Sequence, residues 1–235
     1  MIIFLDIEHP AALADRAYRS ERSQSMERRR RLFQELSGQP CHICHYSDFQ
    51  KADLDAPGIS SLVTSGNRSL WDAYDLTRDF SEFGRALEET SKPVLGICGG
   101  HQLIGLLLGG ACAPLRKLAP GEADLAPDYA AGYFKEWGFY QVEFVPDPLF
   151  AGFTGPITVN ERHFWHLVKV PDSVRVIADN RACPVQAMRH VAKPIYGVQF
   201  HPELFDAAHP DGARMLENFF ALSGAPVGGS LQTSV

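Results

Sequence analysis

Apolar positions in this chain come in short bursts separated by polar or glycine-rich stretches, and the spacing inside each burst predicts an element. Ile2-Ile3-Phe4-Leu5 is a continuous apolar run, as expected of a strand buried on both faces, and Glu8-His9-Pro10 ends it. Residues 11–37 are helical in composition, but their apolar stripe emerges only late, at Leu32, Phe33 and Leu36. Between Arg19 and Arg31 the segment is polar, with Glu27 and Arg31 spaced to pair at i, i+4. Its Arg28-Arg29-Arg30-Arg31 run is expected to be a solvated face, a docking patch for an acidic partner being the lesser alternative. Cys41 to Tyr46 predicts a second strand and 58–66 a third that runs into a loop. Residues 72–90, with Leu76, Phe80, Phe83 and Leu87 on one side, predict an amphipathic helix. Val94, Leu95 and Ile97 then form a strand, and after a small-residue turn Leu103 to Leu108 restart as a helix closed by Gly109-Gly110.

This β-α-β-β-α-β order implies right-handed crossovers and a largely parallel sheet with helices on both faces. Farther on the pattern changes to short strands between Pro and Gly turns: 137–145, 157–159, 174–177 and 185–188. An antiparallel region is therefore expected before the sheet regains a strand at Ile195 to Phe200. The tail 223–235 is Gly- and Ser-rich and is expected to be disordered, leaving residues 1–222 as the domain.

Length and composition narrow the class. With 235 residues, 45% of them hydrophobic, one α/β domain with a substantial core is expected. A net charge of −6 disfavours a general nucleic-acid binder. The first residues lack the basic start of a signal peptide, and no run is long enough for a membrane span, so a cytoplasmic location is expected. Five cysteines, an odd number, point to reduced thiols. Cys41-His42-Ile43-Cys44-His45 matches the c-type haem attachment pattern, but that modification needs export, and alternation would split the residues between two faces of a strand. A zinc site there would lack a second ligand pair. Neither a cofactor nor a metal is expected.

The chemistry concentrates at two places. Gly96-Ile97-Cys98-Gly99-Gly100 has the form of a nucleophile elbow, with glycines that permit a strained turn and Cys98 at a helix N-terminus, where the helix dipole favours thiolate. Taken alone, the segment is equally a glycine-rich turn around a buried cysteine. Much later, His201-Pro202-Glu203 follows a strand, offering a base and a carboxylate to hold its ring. A cysteine and a histidine with an orienting third group is the arrangement that activates a thiol for acyl transfer.

With these residues together, the chain resembles the class I, triad-type glutamine amidotransferases over about residues 1–222. The matching pieces are Gly-Ile-Cys98-Gly-Gly-His-Gln102, Tyr-Gly-Val-Gln-Phe-His201-Pro-Glu203 and the weaker Val63-Thr-Ser-Gly66-Asn67. The resemblance implies a three-layer, flavodoxin-like α/β fold and the hydrolysis of L-glutamine through a Cys98 thioester. Ammonia would pass to an acceptor on a partner synthase. Cys98, His201 and Glu203 would be catalytic, and amides of Gly99 and of the Gly66-Asn67 loop would form the oxyanion hole. Gln102 and the 161–166 segment, with His163, Phe164 and Trp165, would line the substrate site. Either His163 or His166 would be the histidine of that wall, and His101 a packing residue. The sequence departs from the family at two points: Asn67-Arg68 replaces a common Gly-Pro, and Gly99 replaces a larger residue after the nucleophile. A Gly99 peptide left unrestrained would flip readily and keep basal activity low until a partner binds. The alternative function is a γ-glutamyl hydrolase that releases its amine to water.

Overall fold

The computed structural model describes residues 1–224. Strand β1 (Ile2–Asp6) is followed by α1 (Pro10–Leu13), the long α2 (Arg16–Ser37) and β2 (Cys41–His45). Then come α3 (Lys51–Asp55), β3 (Ser61–Thr64), α4 (Leu76–Asp79), α5 (Ser81–Glu89), β4 (Val94–Ile97) and α6 (Gly99–Leu107). The second half carries β5 (Ala111–Pro114), β6 (Glu136–Phe144), β7 (Ile157–His163), β8 (Trp165–Lys169), β9 (Val174–Asp179), β10 (Ala187–His190), β11 (Ile195–Val198) and α7 (Asp211–Ala221).

Nine strands form one sheet in the order β2-β1-β3-β4-β11-β10-β9-β6-β7, and β5 pairs with β8 apart from it. Pairing is parallel from β2 through β11 and antiparallel from β10 outward. The expected antiparallel region thus extends the same sheet. Alternate residues of β1 enter different cores: Ile2 and Phe4 pack with Phe33, Leu36, Phe219 and Phe220 of α2 and α7, while Ile3 and Leu5 pack with Phe83, Leu87, Leu103 and Ile104 of α5 and α6. Burial on both faces explains why the run is continuously apolar rather than alternating. In β2 the same alternation sends Cys41 to the first core and Cys44 to the second, and all five cysteines are free thiols.

One expectation needs correction, and one pair of strands was not expected. The helix expected over 72–90 is broken into a 3-10 turn at Trp71–Ala73, then α4 and α5, because Asp75 caps α4 through the Arg78 amide and Phe80 leaves helical geometry between the two. Strands β5 and β8 have no counterpart in the sequence pattern; their half-exposed residues carry little apolar periodicity. Most of the 223–235 tail lies outside the described residues. No helix among the described residues is long and apolar enough to cross a membrane.

Candidate active site

The sheet delivers its polar residues to one edge. Asp6 ends β1 and Glu8 lies just past it, Ser65 to Ser69 follow β3, Cys98 follows β4 and His201 follows β11. This is the carboxyl end of the parallel strands, where open α/β sheets place ligands.

Cys98 has φ 52° and ψ −106°, one of two positive-φ residues other than glycine in the described chain. A cysteine held there is strained, and the strain is sustained by close packing on both sides. A Cβ on Gly96 would lie 2.5 Å from the Gly100 carbonyl, and one on Gly100 would lie 1.7 Å from Thr64 Oγ1, so only glycines let β4 turn this sharply into α6. The sulfur accepts from Gln199 Nε2 at 3.7 Å. A methyl on Gly66 would sit 3.4 Å from both Cys98 Cβ and His201 Cε1, so the thiol, the imidazole and the β3 loop converge on one point.

His201 Nδ1 lies 2.8 Å from Glu203 Oε1. The ring is anchored from behind, its backbone amide donating to the Asn160 carbonyl at 2.7 Å. Burial by itself disfavours the imidazolium, but the Glu203 carboxylate and then Cys98 outweigh it, and His201 is pushed up to about 9. Burial also opposes ionisation of Glu203, yet His201 and then Arg29 hold its carboxyl at about 2. Sequence, elbow and electrostatics therefore place a cysteine beside an imidazole biased toward its charged form.

The long polar helix is the unanticipated part. Tyr18, Arg22, Ser25 and Arg29 recur at spacings of four, three and four, so they share one face of α2, and that face lines the cleft over Cys98 and His201. Arg22 pairs with Asp6 and donates to Ser65 Oγ at 2.7 Å and to the Gly66 carbonyl at 2.8 Å. Arg29 Nε lies 3.0 Å from Glu203 Oε1. The Glu27–Arg31 pair forms as expected, at 3.0 Å, but Arg29 leaves the solvated face of its arginine run and enters the site. Tyr18 donates to Glu8, whose buried carboxylate also accepts the amides of Arg68 (2.8 Å) and Ser69 (3.1 Å). Glu8 therefore anchors the β3 loop.

That loop packs closely on Gly99: a Cβ on it would lie 1.9 Å from Asn67 Oδ1 and 3.0 Å from the Asn67 amide nitrogen. The Asn67 side chain is itself held, donating to the Ser69 carbonyl at 2.8 Å and to Tyr74 Oη at 3.2 Å. The two departures from the family pattern thus fill one space and explain each other.

Gln102 borders Cys98 in a small cavity of about 20 Å³, together with Tyr129, His163, Phe164 and Trp165. Its amide accepts from Trp71 Nε1 at 2.9 Å and donates to the Trp165 carbonyl and to Gln199 Oε1. The adjoining cleft is wider, about 470 Å³, and includes Arg68, Tyr129, Trp137 and Arg162. His163 is buried behind this wall, between Glu136 at 3.0 Å and Glu161 at 3.2 Å, while His166 is half-buried beside a separate cavity. Burial opposes a charge on His163, but the two carboxylates push it up to about 10; burial pushes Glu161 up to about 7. His101 is fully buried and burial holds it at about 3, consistent with packing. Glu136, His163 and Cys183 bring donor atoms within 4.8 Å of one another. Each already has a protein partner: Glu136 accepts from Asn180 and Gln186, His163 from its other nitrogen meets the Trp165 carbonyl, and Cys183 meets the Val185 carbonyl. The three residues belong to one hydrogen-bonded cluster.

An elbow cysteine, a histidine and a carboxylate at the edge of this sheet define a thiol acyl-transfer class. A family model described as "Glutamine amidotransferase class-I" matches residues 72–222, and the chain belongs to that family. It is a glutamine amidotransferase enzyme. Among curated proteins it is 32% identical over 173 residues to a glutamine-hydrolyzing GMP synthase subunit of Pyrococcus abyssi, covering 73% of this chain and 80% of the relative. The same subunit of Pyrococcus furiosus is 35% identical with the same coverage. The solved structure of a GMP synthase subunit homologue from Thermoplasma acidophilum superimposes with a TM-score of 0.69 at 24% identity, covering 95% of this chain and 94% of that one. A glutamine amidotransferase from Thermotoga maritima gives 0.60 at 14% identity, covering 94% and 96%. These two structures bear on the fold.

Proposed function

We propose that the protein hydrolyses the side-chain amide of glutamine through a Cys98 thioester and delivers the ammonia to an acceptor on a separate synthetase chain. The observation that carries this reading is the convergence of Cys98 and His201 on the Gly66 loop, with Glu203 on the ring's Nδ1 and the cysteine in strained elbow geometry. The relatives are named as one glutamine-hydrolyzing subunit of a GMP synthase, which supports a partner that performs the acceptor chemistry.

In the first half-reaction Cys98 Sγ, as thiolate, adds to the carboxamide carbon of glutamine and the carbonyl oxygen takes the negative charge. The amides of Gly99 and Asn67, brought together across the Asn67–Gly99 contact, are the donors for that oxyanion. The C–N bond then breaks as imidazolium His201 gives its proton to the leaving nitrogen, leaving a γ-glutamyl thioester and ammonia. In the second half-reaction neutral His201 takes a proton from water, hydroxide adds to the thioester, and glutamate leaves with the thiolate restored. Glu203 holds the ring through both steps. Gln102, fixed by three partners, shapes the wall beside the carboxamide, and Phe164 and Trp165 close it.

The test is kcat/KM for glutamine against a panel of γ-glutamyl peptides and amines, with and without a co-purified synthetase chain. Preference for glutamine, with turnover raised by the partner, is expected. A clear preference for γ-glutamyl peptides that no partner alters would instead establish a free-standing γ-glutamyl hydrolase.

A further inference from the structure

The His201–Glu203 pair has a third participant that belongs to neither catalytic segment. Arg29 reaches from α2 to the same oxygen that His201 uses: Nε is 3.0 Å from Glu203 Oε1, and His201 Nδ1 is 2.8 Å from it. The carboxylate is buried, its side chain 1% exposed, and among the described residues its other oxygen has no side-chain partner, so Arg29 and His201 share the one oxygen that is held from outside. Arg29 is itself braced, donating from Nη1 to Ser25 Oγ one turn earlier at 2.6 Å. The contact spans the two ends of the chain, so no local turn imposes it.

We propose that Arg29 is a positioning residue for the base: by sharing Glu203 Oε1 with the His201 ring, it fixes the carboxylate and limits how tightly that carboxylate holds the imidazolium proton. This rests on the triad reading above. An acceptor atom bonded by two cationic donors gives each less of its charge than it would give one alone. Without Arg29, Oε1 would turn wholly to His201, the imidazolium would be stabilised, and the ring would surrender its proton to the leaving ammonia less readily. Among the described residues, the other titratable or charged groups around the pair are Cys98 from the elbow, Glu161 and Arg162 from β7, Glu21, Arg22 and Arg28 from α2, Arg68 and Asp128 across the cleft, and Asp206 beyond Glu203, and the R29Q and R29K substitutions leave all of them unchanged in sequence.

The experiment compares R29Q and R29K with the full-length wild-type chain. Its readouts are glutamine turnover across pH, titration of His201 by NMR with H201N identifying its resonance, and active-site titration with an electrophilic glutamine analogue. R29Q is expected to lower kcat about tenfold while changing KM less than about twofold, and to move the alkaline limb of kcat/KM and the His201 titration to higher pH. R29K, which returns the charge, should bring both back toward wild type. A higher KM with kcat retained would overturn the proposal and make Arg29 a substrate-carboxylate ligand. Loss of titratable sites with the limb unmoved would overturn it too, leaving Arg29 only a packing role. Should R29Q not fold, R29K decides: a limb displaced in R29K contradicts the charge-sharing argument, and one kept in place with most of kcat recovered supports it. Failure of the underlying triad reading looks different, since H201N would then turn over glutamine normally whatever residue stands at 29.

Discussion

Replacing Gly99 by alanine should disable the site through a residue far away in sequence, because the new Cβ would fall 1.9 Å from Asn67 Oδ1. Asn67 must swing out, and its Nδ2 then loses the Ser69 carbonyl and Tyr74 Oη. Two neutral hydrogen bonds are worth about 2 kcal/mol together, which for a chain of this size lowers Tm by roughly 4–8 °C. The Asn67 amide nitrogen, only 3.0 Å from the same Cβ, is pushed as well. Displacing one oxyanion donor should lower kcat by about 10²–10³. The assay is a double-mutant cycle of G99A, N67G and N67G/G99A, read in thermal melts and glutamine turnover. N67G removes the obstruction, so the double variant should melt no lower than N67G alone, a coupling of about 2 kcal/mol, and should turn over at least about tenfold faster than G99A. A G99A protein indistinguishable from wild type, or strictly additive changes in Tm and rate, would refute the idea that the two residues share one space.

His201→Asn should lower turnover by about 10²–10⁴, whereas Glu203→Gln, which keeps a hydrogen bond to the ring, should lower it less; near-normal thioester hydrolysis in H201N would move the base elsewhere, with His163 the first residue to test. The pH profile follows from the same pair: His201 is raised to about 9, so the imidazolium form present below that value is lost as pH rises through it, and kcat/KM should fall on that limb. Stability is linked in the same way. The His201 contribution is complete below its unfolded value near 6.5 and lost toward about 9, and that of Glu203 is complete above about 4.5 and lost as pH falls toward about 2, so unfolding midpoints of E203Q and wild type should converge in acid. Arg22→Met strands the Asp6 carboxylate and frees the Gly66 carbonyl, so it should destabilise by about 3 kcal/mol and slow turnover at least about tenfold; an unchanged melt would show that Asp6 does not need the pair.

The elements that were legible in the sequence are those whose burial forces a periodicity. The apolar runs at Ile2 to Leu5 and Val94 to Ile97 announce strands buried on two faces, and the glycines around Cys98 announce a turn too tight for side chains. The His201–Glu203 spacing places a carboxylate beside its ring because a 3-10 turn brings positions two apart together there. What stayed illegible depends on tertiary partners. The polar face of α2 reads as solvated because nothing in a run of charged residues distinguishes water from a site lined with carboxylates. Only the recurrence of Tyr18, Arg22, Ser25 and Arg29 on one face carries the signal. Glu136 gives none, since its role arises from pairing β6 with β7, which sets it opposite His163.

The central claim is that glutamine is opened by covalent attack of Cys98. It is tested most directly by quenching the protein during turnover of isotopically labelled glutamine and mapping the adduct by peptide mass spectrometry. One labelled γ-glutamyl group on the peptide containing Cys98, accumulating in H201N and absent in C98A, is the predicted result. An adduct on Cys41, Cys44, Cys112 or Cys183, or labelled glutamate formed by C98A at the wild-type rate, would contradict it.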